Sequence, residues 1–226
     1  MPRTGKRYRS DLDKAPSDPV PLVEAVNRLK AMKKTKFDQS IDLVMHLGID
    51  VKQADQQLRG SISLPHGIGG DPRRVVAFCA AEKVEACIEA GAIEAGSDEL
   101  VEKIAGGWMD FDVAVAEPAM MRIVARLGKT LGPKGLMPSP KAGTVTPDVA
   151  QAVREFAAGK IEYRNDDGGN IAATIGKQSF EPEQLQENAQ TLIDHIVGRK
   201  PASSKGTYLK NVSISGTMTP GVPVLV

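Results

Sequence analysis

Two kinds of strand pattern occur along this chain, and their order constrains the fold more than any other feature. Near both ends, as in Ser40–Ile49 and Thr207–Ser215, apolar and polar residues alternate, which is typical of antiparallel strands with one buried face. Between them, Arg73–Ala80 and Phe111–Ala116 are mostly apolar and are followed by helical patterns. Such strand–helix alternation is typical of parallel strands covered by helices. The sequence therefore predicts two architectures in one chain, an α+β part and an α/β part.

The two ends of the chain are each too small to close a hydrophobic core, because a helix and two or three short strands bury little apolar surface. We therefore expect residues 1–67 and 160–226 to form one split α+β domain with an antiparallel sheet. Residues 68–159 would form an inserted Rossmann-like α/β domain. The chain would then cross between the domains twice, and glycines at the crossings suit a double hinge. These hinge candidates are Gly67, Gly69, Gly70 and Gly159.

Charge is unevenly distributed along the chain, although the net charge is only +1. Residues 1–67 hold 12 Lys and Arg against 8 Asp and Glu, residues 68–159 hold 10 against 13, and residues 160–226 hold 7 against 7. A local basic excess is what a nucleic-acid partner requires, so the first third of the chain is the place to look for one. Residues 1–18 carry several cations and no apolar repeat, which predicts a flexible basic tail that either wraps RNA or is only solvated.

Several classes of protein are disfavoured by the composition. No apolar run approaches the roughly 18 residues that span a bilayer, so we expect no membrane segment and no signal peptide. Cys79 and Cys87 lack a metal-ligand spacing and are expected to be buried thiols in a reducing cytoplasm. His46, His66 and His195 are scattered and are expected to be structural. We therefore predict no metal site and no cofactor.

The segment Gly128–Pro147 is rich in glycine and proline and contains three interleaved lysines. We expect no helix or strand to run through it, and a loop of this length in a compact domain is usually functional or disordered. Its lysines, Lys129, Lys134 and Lys141, suit phosphate contacts or could be solvated. Gly128 begins a Gly-Lys-Thr triplet, but the stretch before it has a helical pattern, which argues against an NTPase phosphate-binding loop.

This segment resembles the signature of the bacterial ribosomal protein L-one family of the large ribosomal subunit. Shorter stretches on both sides resemble the same family, and the likeness covers roughly residues 20–220. These stretches are Lys36-Phe37, Arg59-Gly60, Leu64–Gly67, Tyr163–Asp166 and Ser213–Met218.

The resemblance implies a non-enzymatic two-domain protein of the cytoplasmic ribosome, among other large-subunit components. The family binds large-subunit rRNA at a mobile side stalk, meets deacylated tRNA leaving the E site, and in bacteria can repress its own mRNA by binding the leader. Its tightest RNA contacts come from the split domain, and the signature lysines would be a secondary RNA contact. Carried over by motif, the rRNA-binding residues are Lys36, Phe37, Ser40, Asp42, Arg164, Asp166, Ser213, Ser215, Thr217 and Met218.

These residue types fit RNA recognition, although each has an ordinary alternative. Short hydroxyl and carboxylate groups suit 2′-OH contacts in the RNA minor groove, and Lys36 and Arg164 can reach phosphates. Phe37 and Met218 could equally belong to the core, and Asp42 could be a solvated strand residue.

The chain departs from the family pattern at three places. Asp167 stands where lysine is usual, which should weaken the attraction for phosphate, and Ala172 stands where histidine is common. Thr219-Pro220 follows Thr217-Met218 where the family has glycine. Because threonine lacks the freedom of glycine at positive φ, we expect the loop to shift.

Two other functions stay open at the level of sequence. An enzyme built on the inserted domain would need a phosphate-binding turn, but Ala81-Glu82-Lys83 follows the Arg73–Ala80 strand in place of a glycine-rich motif. A protein–protein scaffold would show no RNA contact. The sequence also leaves open which domain would meet tRNA.

Overall fold

The computed structural model describes residues 5–70 and 72–225. The chain divides into two compact units: Met1–Gly70 with Ile161–Val226, called here the split unit, and Asp71–Lys160, called the inserted unit. The mixed α+β and α/β fold class predicted from the sequence is confirmed, because one unit has an antiparallel sheet and the other a parallel one. Within the described residues, no helix is both long and apolar enough to cross a membrane.

Eight helices and nine strands are described. In chain order the helices are α1 (Lys6–Leu12), α2 (Leu22–Lys30), α3 (Val84–Glu89), α4 (Asp98–Ala105), α5 (Met121–Val124), α6 (Gly128–Leu131), α7 (Val149–Ala157) and α8 (Pro182–Gly198). The strands are β1 (Ser40–Leu47), β2 (Arg59–Ile62), β3 (Val75–Phe78), β4 (Ala92–Gly96), β5 (Val113–Ala116), β6 (Ile161–Arg164), β7 (Asn170–Lys177), β8 (Leu209–Gly216) and β9 (Val222–Val224). Short 3₁₀ turns lie at Ala81–Lys83, Pro118–Met120, Ala125–Leu127 and Pro140–Ala142.

The main sheet of the split unit has the antiparallel order β7-β1-β8-β9. Its buried face follows the predicted alternation, since Ile41, Leu43 and Met45 of β1 are fully buried. They share one hydrophobic core with α2 and α8, which contribute residues such as Leu29 and Leu192. The two helices therefore cover one face of the sheet, and the alternate residues of the same strands belong to the other face.

A two-stranded ribbon completes the split unit. β6 pairs with β2, with Arg59 opposite Arg164. A tight turn follows β6, where the N–H of Gly169 donates to the carbonyl of Asp166 at 3.1 Å, and only an isolated bridge between Asn165 and Ile171 joins β6 and β7. The chain therefore leaves the ribbon at this turn and enters the main sheet.

The N-terminal part of the chain is more regular than its sequence indicates. The sequence predicts a flexible tail over residues 1–18, yet Lys6–Leu12 forms α1; residues 1–4 of that tail lie outside the described part. Asp18 and Pro19 are residue types typical of a helix N-cap and first helical position, yet α2 begins only at Leu22, with Pro21 at its N-cap. The reason is that Val20 first pairs with β9, donating its N–H to Pro223 at 3.1 Å and accepting from Leu225 at 2.8 Å.

The inserted unit has a parallel sheet in the order β4-β3-β5. Two hydrophobic clusters lie on its two faces, one built with α3 and α7 and the other with α4 and α5. The helical pattern that follows Phe111–Ala116 does not form one continuous helix, because 3₁₀ turns flank α5.

No helix or strand runs through the whole of Gly128–Pro147, but the segment is more regular than the predicted loop. It begins with α6, contains the Pro140–Ala142 turn, and extends β5 through a parallel bridge between Ala116 and Val145. Leu131 and Ala142 are fully buried. Because buried backbone groups must be paired, the segment takes up local helical turns despite its glycines and prolines.

The two cysteines are buried and free, as predicted. Burial raises the pKa of Cys79 to about 12 and also raises the pKa of Cys87. Since the thiolate is the reactive form, we expect neither cysteine to react with a thiol-specific disulfide reagent at pH 8 while the protein is folded. Two thiols should titrate after unfolding in urea, and rapid titration of the folded protein would contradict this burial.

The glycines of the predicted double hinge all have positive φ, from 62° at Gly67 to 106° at Gly159. Two of them are held within the split unit. Asn188 of α8 donates to the carbonyl of Gly67 at 2.8 Å, and a Cβ at Gly69 would lie 2.5 Å from the Phe180 ring. A Cβ at Gly70 would lie 3.4 Å from the Lys177 side chain. The double hinge itself stays a prediction.

Candidate nucleic-acid interface

The second face of the main sheet carries short polar side chains. Ser40 and Asp42 alternate with the buried residues of β1, and Ser213 and Ser215 do the same on β8. Asp42 lies directly opposite Ser215 in the strand register. Four of the ten predicted rRNA-binding residues are thus brought together on neighbouring strands, and we call this surface the polar face.

The polar face offers hydrogen-bonding groups to a ligand. The hydroxyls of Ser213 and Ser215 have no hydrogen-bond partner among the residues that the structure describes. Asp42 Oδ1 accepts from Thr174 Oγ1 at 2.7 Å, and Lys177 Nζ donates to Ser40 Oγ at 2.9 Å. These two bonds hold side chains of β1 and β7 in fixed positions, while the serines of β8 stay available.

At one end of the polar face lie two exposed apolar side chains. Phe37 and Met218 are each 51% exposed, which does not support the alternative that they belong to the core. Together with Lys36 and Thr217, both exposed, they form what we call the Phe37 rim. The backbone N–H of Thr217 donates to the carbonyl of Ser40 at 3.0 Å, which fixes the loop after β8 beside the start of β1. Four more predicted residues therefore lie next to the polar face.

Buried residues that the sequence did not identify hold the Phe37 rim in place. Gln39, which is buried, accepts from the backbone N–H of Met218 at 3.1 Å and donates to Gln178 Oε1 at 2.7 Å. A polar residue just before a strand has the pattern of an ordinary loop residue, so no sequence signal distinguished it.

The loop after β8 accommodates threonine at position 219 without a positive φ. Thr219 Oγ1 accepts the backbone N–H of Gly216 at 2.8 Å, and its own N–H donates to the carbonyl of Gly216 at 3.1 Å. Among the described residues only glycines have positive φ, so the turn does not need a glycine at this position. The departure from Thr-Met-Gly is therefore compensated by the hydroxyl.

Replacing Thr219 with Val should lower the free energy of unfolding by about 1–2 kcal/mol, because the N–H of Gly216 loses its partner in a buried turn. Urea unfolding followed by circular dichroism measures this loss. Thr219→Ser keeps the hydroxyl and is the matched control. If both variants lose the same stability, the methyl group and not the hydroxyl holds the turn.

The other end of the polar face carries Arg164 and Asp166. Arg164 is exposed at the end of β6. The Asp166 carboxylate accepts from the backbone N–H groups of Gly168 and Asn170, at 2.9 and 2.7 Å, and from the Asn170 side chain. Hydrogen bonds from Asn170 hold the pKa of Asp166 below its ordinary value. Asp166 therefore organises the turn and leaves fewer lone pairs for RNA than the sequence suggested.

This turn also positions two residues that were not among the predicted contacts. Asn170 Oδ1 lies 2.8 Å from Nδ1 of His46, and both residues lie on the polar face. Ala172, the second departure from the family pattern, is exposed on the same strand, and Asp167 is exposed in the turn. The alternation of β7 could have identified Asn170 and Thr174 as outward-facing residues. His46 was expected to be structural, and its ring is half-buried here.

The three signature lysines lie on the inserted unit and are exposed. Lys129 belongs to α6, Lys141 to the 3₁₀ turn, and Lys134 lies in the loop between them. Their role as a secondary RNA contact stays a prediction.

The carboxyl end of the parallel sheet is where an enzyme of this fold would bind a nucleotide. Here Lys83 Nζ donates to Glu117 Oε1 at 2.7 Å and to the carbonyl of Pro147 at 3.2 Å. This ion pair lies just beyond the ends of β3 and β5. The 3₁₀ turn Ala81–Lys83 stands there in place of a glycine-rich phosphate-binding turn. In the described part of the chain there is also no cluster of three potential metal ligands.

Comparison with known proteins places the chain in a family. Residues 29–220 match the model of the ribosomal protein L1p/L10e family. The chain is 50% identical over 221 residues to the large ribosomal subunit protein uL1 of Nocardioides sp., covering 97% of this chain and 91% of the relative. It is 51% identical over 229 residues to the uL1 of Chlamydia trachomatis serovar D, covering 99% and 97%. The chain therefore belongs to the ribosomal protein L1p/L10e family, as its signature segment indicates.

Proposed function

We propose that this chain is a non-catalytic constituent of the large ribosomal subunit of the cytoplasmic ribosome and binds large-subunit rRNA through the polar face and the Phe37 rim. The observation that carries the proposal is the outward-facing row of short side chains, in which the hydroxyls of Ser213 and Ser215 have no partner among the described residues. The minor groove of A-form RNA is wide, shallow and lined with 2′-OH groups. A flat sheet with short side chains can lie directly against this groove. Long cationic side chains in the same positions would keep the sheet at a distance from the sugars.

Charge at both ends of the polar face supports the same proposal. Lys36 and Lys177 lie at the Phe37 end, and Arg164 lies at the other end. From Ser40 to His46 the strand advances by about 20 Å. Cations at this spacing can neutralise phosphates on either side of a groove, while the middle of the face contacts sugars.

The finer roles rest on the family resemblance. We propose that the bound rRNA is the mobile side stalk and that the protein assists release of deacylated tRNA from the E site, with Lys129, Lys134 and Lys141 as the secondary RNA contact. We also propose that the protein represses its own mRNA by binding the leader. If the leader uses the polar face, then rRNA and leader must compete for one site.

A short rRNA fragment of the stalk should bind with one-to-one stoichiometry in isothermal titration calorimetry. Phe37→Ala and Thr217→Ala should each weaken binding by about 1–3 kcal/mol, the scale expected when one specific interaction with RNA is removed. The control is Val197→Ala, which truncates another exposed apolar side chain, 47% exposed on α8. Unchanged affinity in both rim variants would remove the rim from the binding site.

A further inference from the structure

We infer that α1 is a further part of the RNA-binding surface, and that its basic side contacts rRNA phosphates beyond the Phe37 rim. This inference rests on the proposed function and extends it to a segment that none of the predicted contact residues occupies. The family match begins at residue 29 and so does not include α1.

Two contacts fix α1 beside the rim. Arg7 Nη2 donates to the carbonyl of Met218 at 2.9 Å. The backbone N–H of Lys33, just after α2, donates to Asp11 Oδ1 at 3.2 Å, and Asp11 is fully buried. Because Arg7 and Asp11 are four residues apart, they lie on one side of the helix. That side faces the rest of the split unit, and α1 cannot rotate about its axis without breaking both contacts.

The opposite side of α1 is basic. Lys6 and Arg9 are exposed and three residues apart, so they share a side of the helix. At about 100° per residue, their side lies roughly 150° from the side of Arg7 and Asp11. Both residues are exposed on the side of α1 away from the Arg7 and Asp11 contacts, on a helix whose position next to Met218 is fixed.

The surroundings of α1 add to this positive charge. Asp13, just after α1, is exposed, and the exposed Asp38, which follows the lysines after α2, already accepts from the N–H and the hydroxyl of Ser179, at 3.0 and 2.7 Å. The cations of α1 and of the segment after α2 are Lys6, Arg7, Arg9, Lys33, Lys34 and Lys36. Such a group of cations, beside the exposed ring of Phe37 and the serine hydroxyls of the polar face, suits the phosphate backbone of an RNA whose sugars lie on the polar face.

The test uses the full chain and the stalk rRNA fragment, with Kd measured from 0.1 to 0.5 M KCl. The double variant Lys6→Ala/Arg9→Ala removes two positive charges and keeps the Arg7 and Asp11 contacts. The control Arg28→Glu changes the net charge by the same amount on α2, which covers the other face of the sheet. The double variant should weaken binding on the order of tenfold at 0.15 M KCl and lower the slope of log K against log salt by about 1 for each phosphate that the variant no longer neutralises. The control should change neither the Kd nor the salt slope.

Three results would overturn the inference. If the wild type binds and the double variant has the same Kd and salt slope, α1 is only a structural helix and the proposed function stands. If the control loses as much affinity as the double variant, the loss comes from the change in net charge and not from a contact that α1 makes with RNA. If the wild type itself does not bind the fragment, the proposed function fails, and with it the inference.

Discussion

Replacing Asn188 with Leu should lower the free energy of unfolding of the split unit by about 3 kcal/mol. Asn188 is fully buried on α8 and satisfies three backbone groups. It accepts from the N–H of His66 at 3.1 Å and donates to the carbonyls of Gly67 and Ile175, both at 2.8 Å. Leucine has a similar volume but no hydrogen bonds, so three buried polar groups would lose their partners.

Urea unfolding followed by far-ultraviolet circular dichroism measures this effect, and the fluorescence of Trp108 reports the inserted unit separately. Gln190→Ala, two residues further along α8, is the control, because Gln190 is exposed and bonds only to Asp194 on the same helix. The control should lose less than about 0.5 kcal/mol. Equal losses in the two variants would show that helix propensity, and not the Asn188 network, sets the stability.

The double substitution Ser213→Val/Ser215→Val should weaken binding of the stalk rRNA fragment by roughly 3 kcal/mol, about a hundredfold in Kd. Both hydroxyls point outward from β8 without a partner in the described structure, so the bond that RNA can make with each is removed. Valine is well tolerated in strands, and the sheet should keep its stability. Titration of labelled RNA followed by fluorescence anisotropy measures the change.

The control for this variant is Thr191→Val, which removes a hydroxyl from α8. Thr191 bonds to the carbonyl of Glu187 within the same helix, and α8 covers the other face of the sheet. Its Kd should equal that of the wild type. Wild-type affinity in the serine variant, with an intact fold, would show that the polar face does not read the sugar groups.

The polar face could be predicted from the sequence because a strand has a period of two residues. Once Ile41, Leu43 and Met45 are assigned to the core, Ser40 and Asp42 must face outward, and the structure has them there. The family motifs then supplied the neighbouring residues on β8. Periodicity thus identified the surface, and the resemblance indicated what it binds.

The supports of the surface could not be predicted, because they depend on residues distant in the sequence. Gln39 and Gln178 are 139 positions apart, and Arg7 and Met218 are 211 apart. No local pattern marks such pairs, since either partner alone has the composition of an ordinary loop. The same holds for Thr219, whose hydroxyl replaces the conformational freedom of glycine through a bond that depends on the fold of the turn.

Crosslinking of the protein to RNA in purified ribosomes, mapped to peptides, tests the central claim most directly. The account predicts rRNA crosslinks in the peptides that contain Phe37 and Ser213–Met218, with α1 as a further site. It predicts none in α2 or α8, which cover the opposite face of the sheet. Crosslinks that fall on those helices, and leave the polar face and the Phe37 rim unmodified, would contradict it.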